Sequence, residues 1–236
     1  MKAAVVGYGA MGKILSEMLG NDLSLNVAPE CEHKNFDNVE QPDVIIDFSN
    51  PANLDMIYDY VKATKTPVVF ATTGYTPEQL AKIDELSKVA PVLRSANFSL
   101  GVIVLNRLVK EVTPLLEGYD IEIVEAHHNK KVDAPSGTAK MLLKSAQDAT
   151  GYVAKPGRDG YSPRAKNEIG VHAVRGGTIV GEHEVMYCGT DEVITLKHSA
   201  QSKKIFANGA IKAAKWLKDQ KPGFYDMEDV LFGANK

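Results

Sequence analysis

Only two cysteines, Cys31 and Cys188, occur in 236 residues, and there is no CxxC pair. A disulfide framework is excluded, and a reducing, cytoplasmic setting is expected. No apolar run approaches the ~18 residues of a membrane span. Gly7 and Gly9 interrupt the first apolar run too early for a signal peptide. No membrane partner is expected. Neither sign of charge is in excess: 27 basic residues face 30 acidic ones, a net charge of −3. That balance gives no general attraction to nucleic acid or to an anionic membrane. HExxH is missing and no Cys/His pair has zinc spacing, so His127, His128, His172, His183 and His198 are not read as metal ligands. Ser136 lacks a GxSxG elbow, which argues against a hydrolase nucleophile. Internal repeats and low-complexity segments are also lacking. What remains is an ordinary globular composition, 44% apolar and 24% charged, long enough for one large domain or two small ones.

The first hundred residues alternate between strand and helix patterns. Lys2 to Gly7 reads as a buried strand. Ala10 to Leu19 reads as a helix with Ile14, Leu15, Met18 and Leu19 on one face, ended by Gly20. Leu23, Leu25 and Val27 alternate as a half-buried strand. Asp43 to Phe48 reads as a strand covered on both faces, and Pro67 to Thr72 as the next strand. Asn50-Pro51 opens a helix with a cap and a proline at its first position. Thr76 and Gln79 have capping-box spacing, and Val92 to Arg94 is another short strand. This alternation implies a parallel sheet flanked by helices. Near Asn97 the pattern changes. Gly101 to Leu116 and Thr138 to Ala149 read as helices on either side of an alternating strand, Tyr119 to Ala126. Residues 150–168 read as a long loop. Ile169 to Arg175, Thr178 to Cys188 and Glu192 to His198 read as strands, the first two joined by Gly176-Gly177 as by a hairpin turn. An antiparallel or mixed sheet is expected there, followed by a helix from Lys203 to Leu217.

Gly7-Tyr8-Gly9-Ala10-Met11-Gly12 is a GxGxxG sequence between a strand and a helix. Gly7 permits the tight turn, Gly9 lets backbone approach a pyrophosphate, and Gly12 lets helix and strand pack closely. The helix N-terminus would hold the phosphates. Glu30, just past the second strand, is the candidate carboxylate for the adenine-side ribose; a solvated loop carboxylate is the bland alternative.

The densest chemistry lies in Glu125-Ala126-His127-His128-Asn129-Lys130-Lys131-Val132-Asp133-Ala134-Pro135-Ser136-Gly137-Thr138, between a strand end and a helix start. Backbone donors and hydroxyls of Ser136-Gly137-Thr138 would hold a carboxylate. Lys131 could hold another carboxylate or donate a proton, and His127 or His128 could act as an acid near neutral pH. Each piece has a plainer reading: Ser136 or Thr138 as a cap, the lysines as a solvated pair, the histidines as surface residues. Their concentration downstream of a dinucleotide loop favours a site.

With those motifs assembled, the sequence resembles the bacterial dihydrodipicolinate reductases nearly end to end. Its most specific stretch is EAHHNKKVDAPSGTA, Glu125 to Ala139. GYGAMG (7–12), DFSNP (47–51), ATTG (71–74), ANFSLGV (96–102), VRGGTIVGEHEV (174–185) and FANGA (206–210) also match. The resemblance implies an α/β fold: a Rossmann-type parallel-sheet domain of residues 1–98 plus 208–236, and a second α+β domain, 99–207, for substrate binding and tetramerisation. It implies reduction of a small cyclic unsaturated dicarboxylate by NADH or NADPH. His127 would be the proton donor and Lys131 a second acid–base residue. His128, Gly137 and Thr138 would bind substrate, with Ser136 beside them. Ala71-Thr72-Thr73 and Ser95-Ala96-Asn97-Phe98 would contact the nicotinamide side. Two positions depart from the family pattern. Ile103 stands where many members carry Asn, so a polar role there is absent. Cys31 follows Glu30 where some carry Arg, which removes a cation for a 2′-phosphate, with His33 and Lys34 as nearby substitutes.

Overall fold

In the computed structural model, which describes residues 1–233, the chain runs through eleven strands and seven α-helices among the described residues. The first stretch comprises β1 (Ala3–Val6), α1 (Ala10–Leu19), β2 (Leu23–Val27), β3 (Val44–Asp47), α2 (Leu54–Thr64), β4 (Val68–Phe70), α3 (Pro77–Ser87) and β5 (Pro91–Arg94). The middle comprises α4 (Leu100–Val112), β6 (Asp120–His127), α5 (Gly137–Thr150), β7 (Val153–Pro156), β8 (Glu168–Arg175), β9 (Gly181–Cys188) and β10 (Val193–Ala200). The chain closes with α6 (Lys204–Leu217), β11 (Gly223–Tyr225) and α7 (Met227–Phe232). Two compact units result: Met1–Leu100 with the segment from Lys204 onward, and Gly101–Lys203.

The first unit holds a six-stranded sheet in the order β11-β5-β4-β3-β1-β2, and all its pairings are parallel. Every residue of β1, β3 and β4 is buried, because helices cover both faces and leave no edge for polar alternation. Leu54, Ile57 and Val61 of α2 and Ile83 and Leu86 of α3 are buried against it. Each such side chain contributes roughly 1.5–3 kcal/mol on burial. Asn50 caps the 3₁₀ turn before α2 through Ala52 N–H, and Thr76 forms a full capping box with Gln79 at α3. The order in which strands are added reverses at β1, which has β2 on one side and β3 on the other, both parallel to it. The carboxyl ends of strands at such a point form the usual ligand crevice of this fold class, and the glycine loop starts there.

The second unit is a mixed five-stranded sheet, β10-β9-β6-β8-β7. β6 runs parallel to β8 and antiparallel to β9. One face of β6 is buried at alternate residues, Ile121, Ile123, Glu125 and His127. Val109 of α4, Leu142 and Ala146 of α5, and Ile169, Val185 and Tyr187 of the sheet fill the core below. The Tyr187 hydroxyl is satisfied by Thr113 Oγ1 at 2.8 Å.

Two readings of the sequence need correction. Gly176-Gly177 is not a hairpin turn, because β6 lies between β8 and β9. The turn instead passes over the end of β6, where Gly176 N–H bonds the His127 carbonyl at 2.9 Å. Residues 150–168 are not all loop, because Val153–Pro156 adds a parallel edge strand to β8. Pro156 tolerates that place since an edge strand leaves one side of its backbone unpaired.

Candidate active site

In the first unit, Gly7 takes φ +96° and its N–H bonds the Val27 carbonyl at 2.9 Å. An L-residue is disfavoured at that φ. A Cβ on Gly12 would overlap the Gly7 carbonyl, whose carbon lies 2.7 Å from its position. Gly9 is the N-cap of α1; it offers no side chain to the helix donors, and nothing lies within 4 Å of where its Cβ would be. An uncapped helix start with open space before it fits a pyrophosphate. Ala10 and Met11 form the first turn, and Tyr8 receives Lys13 over its ring at 5.3 Å. Glu30 is exposed at the rim of a cleft of about 390 Å³ that also involves Tyr8, Asn26, Cys31 and His33.

At the ends of β3 and β4 the same unit buries Asp47 completely. It accepts bonds from Ser49 Oγ and from Tyr75 Oη at 2.8 Å. Burial pushes its pKa up against these bonds. Ala71 N–H bonds the Asp47 carbonyl, and buried Thr72 accepts Ser49 N–H at 2.8 Å, so its hydroxyl is already engaged. Thr73 is exposed. Ser95 and Asn97 are half-buried and Ala96 is exposed. Asn97 Oδ1 accepts Ser99 N–H, and Phe98 is buried against Phe48 at a ring distance of 6.0 Å.

The second unit concentrates its polar groups at the end of β6. His127 is 8% exposed and Glu125 wholly buried. Period-two alternation puts both on the core side of β6. His127 Nδ1 is 2.6 Å from Glu125 Oε2. Arg175, paired with His127 in the β6–β8 register, grips both Glu125 oxygens at 2.8 and 2.7 Å. Ser136 N–H adds a bond to Oε1 at 3.0 Å. Burial alone would raise the Glu125 pKa, but the bonds from Arg175, His127 and Ser136 outweigh it and hold the carboxyl low. His183, paired with Glu125 across β6–β9, meets His127 edge-on at 5.1 Å. Its Nε2 lies 2.9 Å from Ser136 Oγ. Burial, with the charges of His127, His198 and Lys131, pushes its pKa down to about 4 against an opposing pull from Glu125.

Ser136 is the N-cap of α5, accepting Ala139 N–H at 3.1 Å. Gly137 is exposed in the first turn, Thr138 half-buried beside it. Lys131 pairs with Asp133 at 2.7 Å. His128 is half-buried, and its carbonyl accepts Lys131 N–H. His127 and Ser136 therefore meet at His183, which also feels the charge of Lys131, while His128, Gly137 and Thr138 belong to the same strand-to-helix connection. Arg175 and His183 are the residues that sequence reasoning left out of the site. Glu125 heads the dense segment read from the sequence, but no role was assigned to it there.

Two family models cover the chain: Dihydrodipicolinate reductase, N-terminus, over residues 1–98, and Dihydrodipicolinate reductase, C-terminus, over 101–231. The chain belongs to the dihydrodipicolinate reductase family. The reductase is 45% identical over 242 residues to the 4-hydroxy-tetrahydrodipicolinate reductase of Clostridium novyi (strain NT), covering 96% of each protein. It is 45% identical over 233 residues to that of Brachyspira hyodysenteriae, covering 98% of this chain and 100% of the relative. A dipicolinate-bound dihydrodipicolinate reductase from Paenisporosarcina sp. TG-14 shares the fold with a TM-score of 0.78 at 20% identity, over 98% of this chain and 99% of that one. Membership carries the family's reaction: reduction of 4-hydroxy-tetrahydrodipicolinate by a nicotinamide dinucleotide, in diaminopimelate and lysine biosynthesis.

Proposed function

We propose that in this reaction His127 is the proton donor and Lys131 a second acid–base residue, with NADH used at least as well as NADPH. The observation that carries the first part is the state of the His127 ring. Its Nδ1 is fixed on Glu125, while Nε2 makes no hydrogen bond among the described residues. The cofactor supplies the hydride. Hydride arriving at a conjugated imine leaves negative charge on the substrate, and a positioned acid neutralises it. The two substrate carboxylates suit the start of α5 at Gly137 and Thr138, His128 and the Lys131 ammonium, with Ser136 holding the helix start in place. Lys131 exchanges Asp133 for the substrate as it does so.

Glu30 and Glu32 flank Cys31 at the cleft beside Tyr8. A carboxylate there bonds a ribose but repels a 2′-phosphate, and the cleft lining contains no arginine or lysine. The loop Gly7 to Gly12 takes the pyrophosphate, and the 71–73 and 95–98 segments the nicotinamide side. The strand-rich second unit serves tetramer formation in a cytoplasmic enzyme; light scattering showing a stable monomer at micromolar concentration refutes that assembly.

Steady-state kinetics test the reading. His127→Gln lowers kcat by roughly 10²–10⁴-fold with little change in NADH affinity. Lys131→Ala lowers kcat and raises the substrate KM. Lys130→Ala, an exposed control, does neither. Near-normal kcat in His127→Gln removes the donor assignment, and a kcat/KM strongly favouring NADPH removes the cofactor preference.

A further inference from the structure

The chemistry assigned to His127 and Lys131 leaves a buried ion pair unused. Glu125 and Arg175 both lie at strand ends, and burying such a pair is weak evidence for a stabilising role, because an apolar pair of similar volume often serves a fold as well. The geometry points to another use. Both Glu125 oxygens are occupied twice: Oε1 by Ser136 N–H and Arg175, Oε2 by Arg175 and His127. Arg175 is itself tied to the Asp133 and Val174 carbonyls at 2.6 and 2.8 Å. Glu125 is thus held by groups other than His127 and does not turn with the ring.

We propose that Glu125, clamped by Arg175, is the positioning residue that keeps neutral His127 in its Nδ1–H tautomer and turns Nε2 outward to carry the transferable proton. The inference rests on the assignment of His127 as proton donor. An ionised carboxylate only accepts, so the 2.6 Å contact requires a proton on Nδ1. The proton gained and lost in the reaction then sits on Nε2. That nitrogen faces Gly181, where even a methyl group would approach it to 3.1 Å. The neighbouring histidine does not compete, because His183 directs its Nε2 to Ser136 Oγ. Arg175 also fixes the loop that carries Lys131, through the Asp133 carbonyl.

The test is Glu125→Gln. The amide has one accepting oxygen, which Arg175 claims, and its NH₂ group then faces His127 Nδ1 and favours the Nε2–H tautomer. We expect kcat to fall roughly 10–10²-fold, part of the ~10²–10⁴ that a positioned acid supplies. Substrate KM and NADH affinity stay within about twofold, since Glu125 is wholly buried and both its oxygens are engaged by the protein. Glu125→Asp keeps two acceptors and recovers part of kcat. Nitrogen-15 shifts of the His127 ring, assigned by comparison with His127→Gln, read the tautomer directly: proton on Nδ1 in the native chain, on Nε2 in Glu125→Gln. A merely structural role would lower Tm and leave the tautomer alone. A folded Glu125→Gln protein with kcat within twofold of native overturns the proposal, as does a native His127 whose neutral form carries its proton on Nε2. The second measurement needs no variant to fold. If His127→Gln keeps its kcat while the native tautomer is as stated, the donor assignment fails and the proposed role falls with it, though the geometry stands.

Discussion

At the end of β1 the first unit presents backbone and almost no side chain, whereas at the end of β6 the second unit converges Glu125, His127, Arg175, His183 and the Ser136 cap. The glycine loop works by what is missing. Its helix start is uncapped by any side chain, and space stands open before Gly9. The β6 end works by what is present, with both oxygens of Glu125 held by Arg175 and each met by one further group, the Ser136 N–H or the His127 ring. The first kind of site is broken by adding atoms and the second by deleting them.

The largest effect on that comparison is expected from Gly12→Val. Its branched side chain would have to displace the Gly7 carbonyl, which is backbone and cannot swing aside. Overpacking of this kind costs roughly 1–3 kcal/mol or more, and Gly7 itself would be forced out of its turn. Calorimetry should show at least about tenfold weaker NADH binding, which is about 1.4 kcal/mol, and the Tm should fall. Unchanged affinity in a folded protein would mean that the loop does not hold the cofactor. Gly9→Ala sharpens the point with a smaller effect. Its methyl group meets nothing in the chain, so Tm stays, but the methyl group stands where a pyrophosphate would approach, and NADH affinity falls severalfold. If Gly9→Ala lowers Tm instead, the glycine serves the fold alone.

The same contrast explains what could be read from the sequence. The glycine loop is contiguous, and the strand before it and the helix after it announce themselves by periodicity. The α1 and α5 starts, the buried strands β1, β3 and β4 and the Thr76 capping box follow from local pattern for the same reason. His127 and Lys131 stood out because they fall in one dense segment. Arg175 and His183 did not, because their place depends on strand register: His127 opposite Arg175, Glu125 opposite His183. Register is set by long-range pairing, and no local signal encodes it. Reading Gly176-Gly177 as a hairpin failed on that ground too, since a third strand separates the two it joins. β7 and β11 escaped notice because they are short edge strands beside proline and glycine, where alternation has no length to show itself.

The smallest expected effect compares the two units through their buried titratable groups, which pull in opposite directions as pH falls. His183 is held neutral by burial, helped by the charges of His127, His198 and Lys131 and opposed by Glu125. Unfolded, it takes a proton near its ordinary 6.5; folded, not until about 4. The unfolded chain therefore binds more protons in between, and stability falls as pH drops from about 6.5 toward 4, at up to ~1.4 kcal/mol per pH unit. Asp47 in the first unit is the reverse. Burial raises its pKa above 3.8 despite bonds from Ser49, Thr72 and Tyr75, so the folded chain takes up its proton first and gains stability as pH falls through that raised value. Melting curves between pH 7 and pH 5 keep the low-titrating Glu125 out of the His183 comparison. His183→Gln, which still bonds Ser136, should lose less Tm on acidification than the native protein, by a few degrees at most. Asp47→Asn should lose more, extending to lower pH as the native carboxyl takes up its proton. Were both variants to change the slope in the same direction, the opposed burial of these two groups would not describe how the units respond to acid.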